Sequence, residues 1–279
     1  MRVLFGFTIY ILTCCGSPIQ KEKKPSILVT ISPYDTFAKK IVGKTVKVIT
    51  LIPSGGNPHN FSPTSKQMEK TLKVSAWFSL YESSEQKMFP LFQTLLSSIQ
   101  IVDLCQSIDL IQEKDGGDFD RHVWLNPKLA KQQIILMTNT LKKLFPKHSS
   151  LYEENLSKVS ADLDRLDKEI AHILAPHKGK TILVSHPAFS YLCKEYSLQQ
   201  LSVEQGEQDP LAKTLGSMLK TIKKEAISVA FAQAQHNNTG LLYIAHMLKL
   251  PVQTVDPYSA NYEENLKTIS QLIAENGRH

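Results

Sequence analysis

Nine histidines are scattered through the 279 residues, and three of them stand where a folded chain could gather them. His59 lies in Pro53-Ser54-Gly55-Gly56-Asn57-Pro58-His59-Asn60-Phe61-Ser62-Pro63-Thr64, a loop dense in chain-breaking residues. His122 follows a short acidic loop, Glu113 to Asp120, and precedes a helical pattern. His186 comes directly after the strand-like Thr181-Ile182-Leu183-Val184-Ser185, and Asp256 ends another such run, Pro251-Val252-Gln253-Thr254-Val255. Three imidazoles and a carboxylate are the borderline and hard donors that suit Zn2+, Mn2+ or Fe2+. The four lie too far apart along the chain for a local finger-type site, so only tertiary structure could bring them to one ion. The other histidines read more blandly. His148, His172 and His177 flank or lie on a long helix, His236 falls in a loop, His246 on a helix and His279 at the terminus. Glu204, Glu207 and Asp209 read as a solvated acidic loop.

What must position these residues is an alternation of strand-like and helix-like segments. Strands are expected at 27–31, 46–52, 74–80 and 100–104, with helices at 34–42, 65–73, 85–98 and from Asn126-Pro127 to about Leu144. In the second half, strands are expected at 181–184, 198–203, 227–231 and 252–255, and helices at 188–195, 211–225, 239–248 and 262–275. Between the halves, Leu156, Val159, Leu163, Leu166, Ile170 and Ile173 recur three and four apart, which draws one apolar stripe along an α-helix. Ser150 and Glu153 have the spacing of a capping box at its start; Pro176 and Gly179 stop it. Counted from Leu151 to Ala175 it would be roughly 37 Å long.

The fold expected is therefore α/β: two (βα)-type lobes with mainly parallel sheets, joined by a single long rigid α-helix. Residues 26–146 make the N-terminal lobe, 147–176 the linking helix and 177–279 the C-terminal lobe. Ligands of open α/β sheets bind beyond the carboxyl ends of the strands. His59, His186 and Asp256 follow such ends, and His122 lies on the connection leaving the last N-terminal strand. Two candidates come from each half, which puts a metal site in the interlobe cleft.

An apolar content of 42% and a charged content of 21% are those of a soluble globular protein and exclude extended disorder or a polytopic membrane protein. The formal net charge of +6 is partly held by Arg2 and Lys21-Glu22-Lys23-Lys24, and the rest is too scattered to argue for nucleic acid. Val3 to Leu12 is an apolar run far short of the ~20 residues that span a bilayer as a helix, and it reads as a signal segment. It ends in Leu12-Thr13-Cys14-Cys15-Gly16-Ser17, which resembles a bacterial lipobox. Cys15 is the favoured lipidated residue and Cys14 the fallback; an ordinary cleaved signal peptide is the alternative. Residues 1–25 would then be a lipoprotein signal peptide and a lysine-rich tether, holding the protein to the membrane by a lipid. Cys105 and Cys193 read as small buried core residues.

The segments around the four candidates are similar to those of one family. Asn57-Pro58-His59-Asn60-Phe61-Ser62-Pro63-Thr64 resembles the Asp-Pro-His-x-x-x-Pro-Thr segment of the cluster A-I metal-binding lipoproteins. These are the zinc- and manganese-binding solute-binding proteins of bacterial ABC importers. His122-Val123-Trp124-Leu125-Asn126-Pro127 resembles their His-Val-Trp-Leu-Asp-Pro, Ser185-His186-Pro187-Ala188-Phe189-Ser190-Tyr191 their Ser-His-x-Ala-Phe-x-Tyr, and Asp256-Pro257-Tyr258 their Asp-Pro-Leu. The likeness runs from about Ile27 to the end.

The resemblance implies that His59, His122, His186 and Asp256 hold one divalent transition metal ion, Zn2+, Mn2+ or Fe2+, as transported cargo. It implies delivery to an ABC permease and its ATPase in the inner membrane, a place in the periplasm or at the cell surface, a monomer, and no enzymatic role. Asn60 and Tyr191 are candidates to support the ligating imidazoles, which need acceptors for their other N–H. Two departures leave the metal open: the loop before His122 has no histidine, unlike zinc-dedicated members, and His186 stands where manganese-dedicated members usually place Glu. The competing functions are a zinc-dependent metallohydrolase, which would need a dedicated acid beside an open metal position, and a surface lipoprotein with an adhesion role.

Overall fold

The computed structural model describes residues 24–96, 98–113, 118–204 and 212–275. The lipobox cysteines Cys14 and Cys15, most of the tether, Glu207, Asp209 and His279 lie outside the described residues. The N-terminal half runs β1 (Ser26–Val29), α1 (Ser32–Val42), β2 (Lys47–Thr50), α2 (Ser65–Thr71), β3 (Val74–Ser79), α3 (Ser83–Gln86), α4 (Phe89–Leu95), β4 (Gln100–Asp103) and α5 (Pro127–Leu144). After α6 (Ser149–Leu174) come β5 (Thr181–Val184), α7 (Ser190–Glu195), β6 (Gln199–Ser202), α8 (Ala212–Lys224), β7 (Ala230–Gln233), α9 (Thr239–Leu248), β8 (Val252–Val255) and α10 (Tyr262–Glu275).

Both halves build a four-stranded sheet, ordered β2-β1-β3-β4 in one and β6-β5-β7-β8 in the other. Every strand pair is parallel. The central β1 is buried along its whole length whereas the edge strand β2 is partly exposed, as expected where helices cover both faces of a parallel sheet. Because all strands in a sheet run the same way, all its carboxyl ends open on one edge. The two such edges face each other across the cleft.

Helix α6 has 26 residues, about 39 Å of rise. It buries Tyr152, Leu156, Val159, Leu163, Leu166, Ile170 and Leu174; the stripe ends on Leu174, with Ile173 only partly buried. The capping box at Ser150 does not form. The helix continues from a 3-10 turn at Pro146–His148 without a side-chain cap, so Ser150 is already inside it, and Glu153 pairs with Lys142 of α5.

The covalent link is not the lobes' only joint. Helix α10 lies on α6 and also reaches the first lobe: the Phe37 and Tyr262 rings meet edge to face at 4.7 Å. Thr36 Oγ1 donates to Ala260 O at 2.8 Å, and Lys40 pairs with Glu263. One apolar core runs from Ile27 and Trp77 through the α6 stripe to Ile182 and Leu266.

Two boundaries differ from the sequence expectation for identifiable reasons. The helix expected over 85–98 is broken into α3 and α4, with Pro90 in the first turn of the second. Strand β7 begins at Ala230 rather than Ile227 because residues 226–227 are spent closing α8. Ala226 is left-handed (φ 49), its N–H donates to Lys223 O at 3.3 Å, and Ile227 N–H donates to Ile222 O at 3.1 Å. That pair of bonds is a Schellman closure. The later strand carries its carboxyl end to Gln233, three residues before His236.

Candidate metal centre

Every strand except β1 sends a polar side chain to the cleft. His59 follows β2, Glu82 β3, Asp120 and His122 β4, His186 β5, Glu204 β6, His236 β7 and Asp256 β8.

The loop that carries His59 turns at Gly55, which is left-handed (φ 85), and Gly56, where a Cβ would lie 2.7 Å from Ile52 Cγ2. A side chain would be strained at the first position and would crowd Ile52 at the second. The Asn57 side chain then accepts His59 N–H at 2.9 Å and starts a 3-10 turn over Pro58–Asn60. The His59 ring presents Nδ1 to Glu82 Oε2 at 3.3 Å. His122 is held from both sides of one carboxylate oxygen: Asp120 Oδ1 accepts its backbone N–H at 2.9 Å and lies 2.8 Å from Nδ1. Across the cleft, Glu204 Oε2 lies 3.1 Å from His186 Nδ1 and 3.7 Å from His236 Nδ1. The last two rings stack at 4.0 Å with an interplanar angle of 21°.

In all four imidazoles, then, a carboxylate sits at Nδ1. An N–H on that nitrogen leaves Nε2 as a lone-pair donor, the arrangement by which carboxylate–histidine pairs fix metal ligands. The Nε2 atoms of His59 and His122 lie 3.3 Å apart. Two nitrogens bound to one tetrahedral ion at 2.0–2.1 Å would be separated by about 3.3 Å, so the pair is spaced as two ligands on one ion. A ring nitrogen from each of His59, His186 and His236 also lies within 4.8 Å of the other two, and His122 reaches that trio through His59.

The surroundings are buried and acidic. Glu82, Asp120, Glu204, His122 and His186 are all buried, and the His236 side chain is only 2% exposed. Three buried carboxylates backing four rings make a cage whose negative charge a divalent cation would offset.

The remaining expected residues fall differently. One oxygen of the Asp256 carboxylate is engaged elsewhere: Oδ1 accepts Gln235 Nε2–H at 2.7 Å and Tyr258 N–H at 2.9 Å. Tyr191 is buried under the His122 loop, donating to Asp120 O at 2.7 Å and accepting Ile111 N–H at 2.9 Å, so it steadies backbone rather than an imidazole. Burial raises its phenol pKa. Asn60 is exposed. Cys105 and Cys193 are both buried free thiols, each pushed up to about 12 by burial.

The two lobes are stitched around the site. Trp124 Nε1–H donates to Pro257 O at 2.9 Å, Tyr262 Oη to Trp124 O at 2.6 Å, and the Tyr258 hydroxyl lies 3.3 Å from His122 Nε2.

A family model described as the periplasmic component A of the zinc-uptake complex, ZnuA, matches residues 27–278. The chain belongs to this family. It is 29% identical to a putative metal-binding protein of Chlamydia trachomatis serovar D over 98% of this chain and 99% of that one. The zinc-binding lipoprotein AdcA of Streptococcus pneumoniae serotype 4 is 25% identical over 94% of this chain, which spans 56% of AdcA. Among solved structures, a deletion mutant of ZnuA with zinc bound superposes with a TM-score of 0.87 at 28% identity, covering 92% of this chain and 99% of that one. Metal binding is what the names of these relatives have in common.

Two residues that the structure brings to this cluster were read otherwise from the sequence. His236 was set aside as a loop residue, and Glu204 as solvated. The signal for both was the strand-end rule, applied to only part of the second sheet. Moving the end of β7 from Phe231 to Gln233 puts His236 three residues past its strand, close to the two-residue offset of His186 from β5.

Proposed function

We propose that this protein captures one divalent transition metal ion outside the cytoplasm and delivers it to an ABC permease and its ATPase. The reading rests on one observation: Nε2 of His59 and Nε2 of His122, each with a carboxylate at Nδ1, face each other at the separation of two ligands on one tetrahedral ion. His186 completes a three-imidazole core contributed by both lobes. The zinc bound in the similar ZnuA structure and the lipoprotein character of AdcA support the cargo and the setting. Lipidation at Cys15, or at Cys14 as the fallback, would hold the protein at the membrane, in the periplasm or at the cell surface, within reach of a permease. Asp256, which the family resemblance names as a ligand, lies on the same edge of the second sheet.

A carrier needs a shell that holds and then lets go, and the interlobe hydrogen bonds argue against wide opening. Release would come from small rocking of the lobes, with loss of one or two ligands. The test is metal content and competition on the body from Ser26 onward, stripped of metal and offered Zn2+, Mn2+ and Fe2+ together. One ion per chain, loosened in His59→Ala, His122→Ala and His186→Ala, is the expected result. No stoichiometric ion, or binding indifferent to all three changes, would overturn the carrier reading.

A further inference from the structure

The identity of the fourth ligand decides which ions the cage prefers, and two side chains compete for the position. Asp256 leaves β8 at the right height, but its Oδ1 already accepts two hydrogen bonds, from Gln235 Nε2 and Tyr258 N. His236 is the better placed. Its Nε2 is buried without a hydrogen-bond partner among the described residues, its Nδ1 faces the Glu204 carboxylate that also backs His186, and its ring lies in the tight group with His59 and His186.

The turn that carries His236 is held in advance. The Asn238 side chain accepts Gln233 N–H at 3.1 Å and donates to Gln233 O at 2.9 Å and His236 O at 3.0 Å. Gln233 in turn donates through Nε2 to His186 O at 2.5 Å, so the two imidazole-bearing loops are fixed to each other. Asp256 belongs to the same framework: by holding Gln235 it braces the residue next to His236.

We infer that His236, rather than Asp256, is the fourth ligand, giving a shell of four imidazoles from His59, His122, His186 and His236. This rests on the carrier reading above and narrows its cargo. Imidazole nitrogens suit zinc, nickel and copper, whereas manganese favours carboxylate and other hard oxygen donors. The cage therefore selects zinc-class ions and disfavours manganese. Asp256 acts as a positioning residue through Gln235. Binding requires the stacked His186 and His236 rings to splay about their shared carboxylate until both Nε2 atoms meet one ion.

X-ray absorption at the zinc edge of the zinc-loaded protein counts the imidazoles without any substitution. Four nitrogen ligands with imidazole scattering are expected; three imidazoles and a carboxylate oxygen would overturn the inference. In parallel, zinc affinity is read by competition with a chromophoric chelator for His236→Ala, His236→Gln and Asp256→Asn, with apo thermal melts to establish that each is folded. The histidine variants should weaken zinc at least about tenfold, the smaller loss even for an outer-shell partner. Asp256→Asn, which keeps an acceptor for Gln235, should weaken it less, and the zinc-over-manganese preference should shrink in His236→Asp. The reverse ranking sinks the His236 assignment while leaving the carrier intact. Indifference to His59→Ala and His122→Ala in the same assay is what would remove the carrier itself.

Discussion

Replacing Glu204 by Gln separates what the cage does for the metal from what it does for the fold. The carboxylate is buried and sits behind two rings, 3.1 Å from His186 Nδ1 and 3.7 Å from His236 Nδ1. An ion on the far side of an imidazole would lie about 6 Å from it. A divalent cation and a unit negative charge at that distance attract by about 5 kcal/mol at an effective dielectric of 20, a ceiling for what Gln forfeits. The amide still accepts from one ring, and the other carboxylates remain, so the loss should fall in the range found for outer-shell partners. That range is about 10–100-fold in affinity, or about 1.4–2.7 kcal/mol.

The apo protein should respond with the opposite sign. Without the ion, Glu204 is one of three carboxylates enclosed together, and removing a buried charge from such a group relieves desolvation and repulsion. Glu204→Gln should therefore melt no lower than wild type as apo protein. At a free zinc level well above both dissociation constants, its zinc-induced stabilisation should shrink by about 1.4–2.7 kcal/mol. Thermal melts with and without buffered zinc measure both quantities on one sample. A variant destabilised as apo protein but stabilised by zinc as fully as wild type would refute the reasoning, because Glu204 would then be a structural residue and not a ligand's partner.

Other perturbations follow from the same contacts. Burial pushes Glu85 up to about 7 from an ordinary value of 4.5, against its bonds from Thr30 and the backbone of Glu82. The folded chain then keeps a proton that the unfolded chain gives up above about pH 4.5, so apo stability should fall by about 3 kcal/mol as pH rises to 7 and beyond. Chemical denaturation at several pH values should show that slope reduced in Glu85→Gln; an unchanged slope would clear Glu85 of responsibility. Trp124→Phe removes the donor to Pro257 O and leaves a carbonyl in the interlobe contact unsatisfied, which should cost about 1–3 kcal/mol in urea unfolding; a variant as stable as wild type would mean that water satisfies the carbonyl. Because Trp124, Tyr262 and the α6 core hold the lobes together, scattering curves of apo and zinc-loaded protein should nearly superimpose, and a large compaction on loading would contradict this.

How far the sequence could be read depended on whether the information was local. The stripe from Leu156 to Ile170 announced α6, since a period of 3.6 needs nothing but the chain itself. The ends of β5 and β8 were legible because apolar runs stop at Ser185 and Asp256 there. The end of β7 was not: a Schellman closure on a non-glycine residue, Ala226, consumed the start of the expected strand, and no Gly marked it. Ser150 and Glu153 misled for the converse reason, a motif with the right spacing set one residue inside a helix that had already begun at Ser149.

The site itself divides along the same line. Strand ends can be located from sequence, which is why His59, His186 and Asp256 could be named as one constellation, with His122 on the connection leaving the last N-terminal strand. Which of the side chains arriving at an edge turns inward is decided by partners distant in sequence: Gln235 and Tyr258 N for Asp256, Glu204 for His236. A carboxylate attracts N–H donors wherever it lies, and one oxygen of Asp256 is spent on two of them. A histidine whose Nδ1 is claimed by a buried acid has only Nε2 left to offer. The acids behind the rings are therefore the better guide to the ligand set than the candidate ligands themselves, and in this chain Glu204 points to His236.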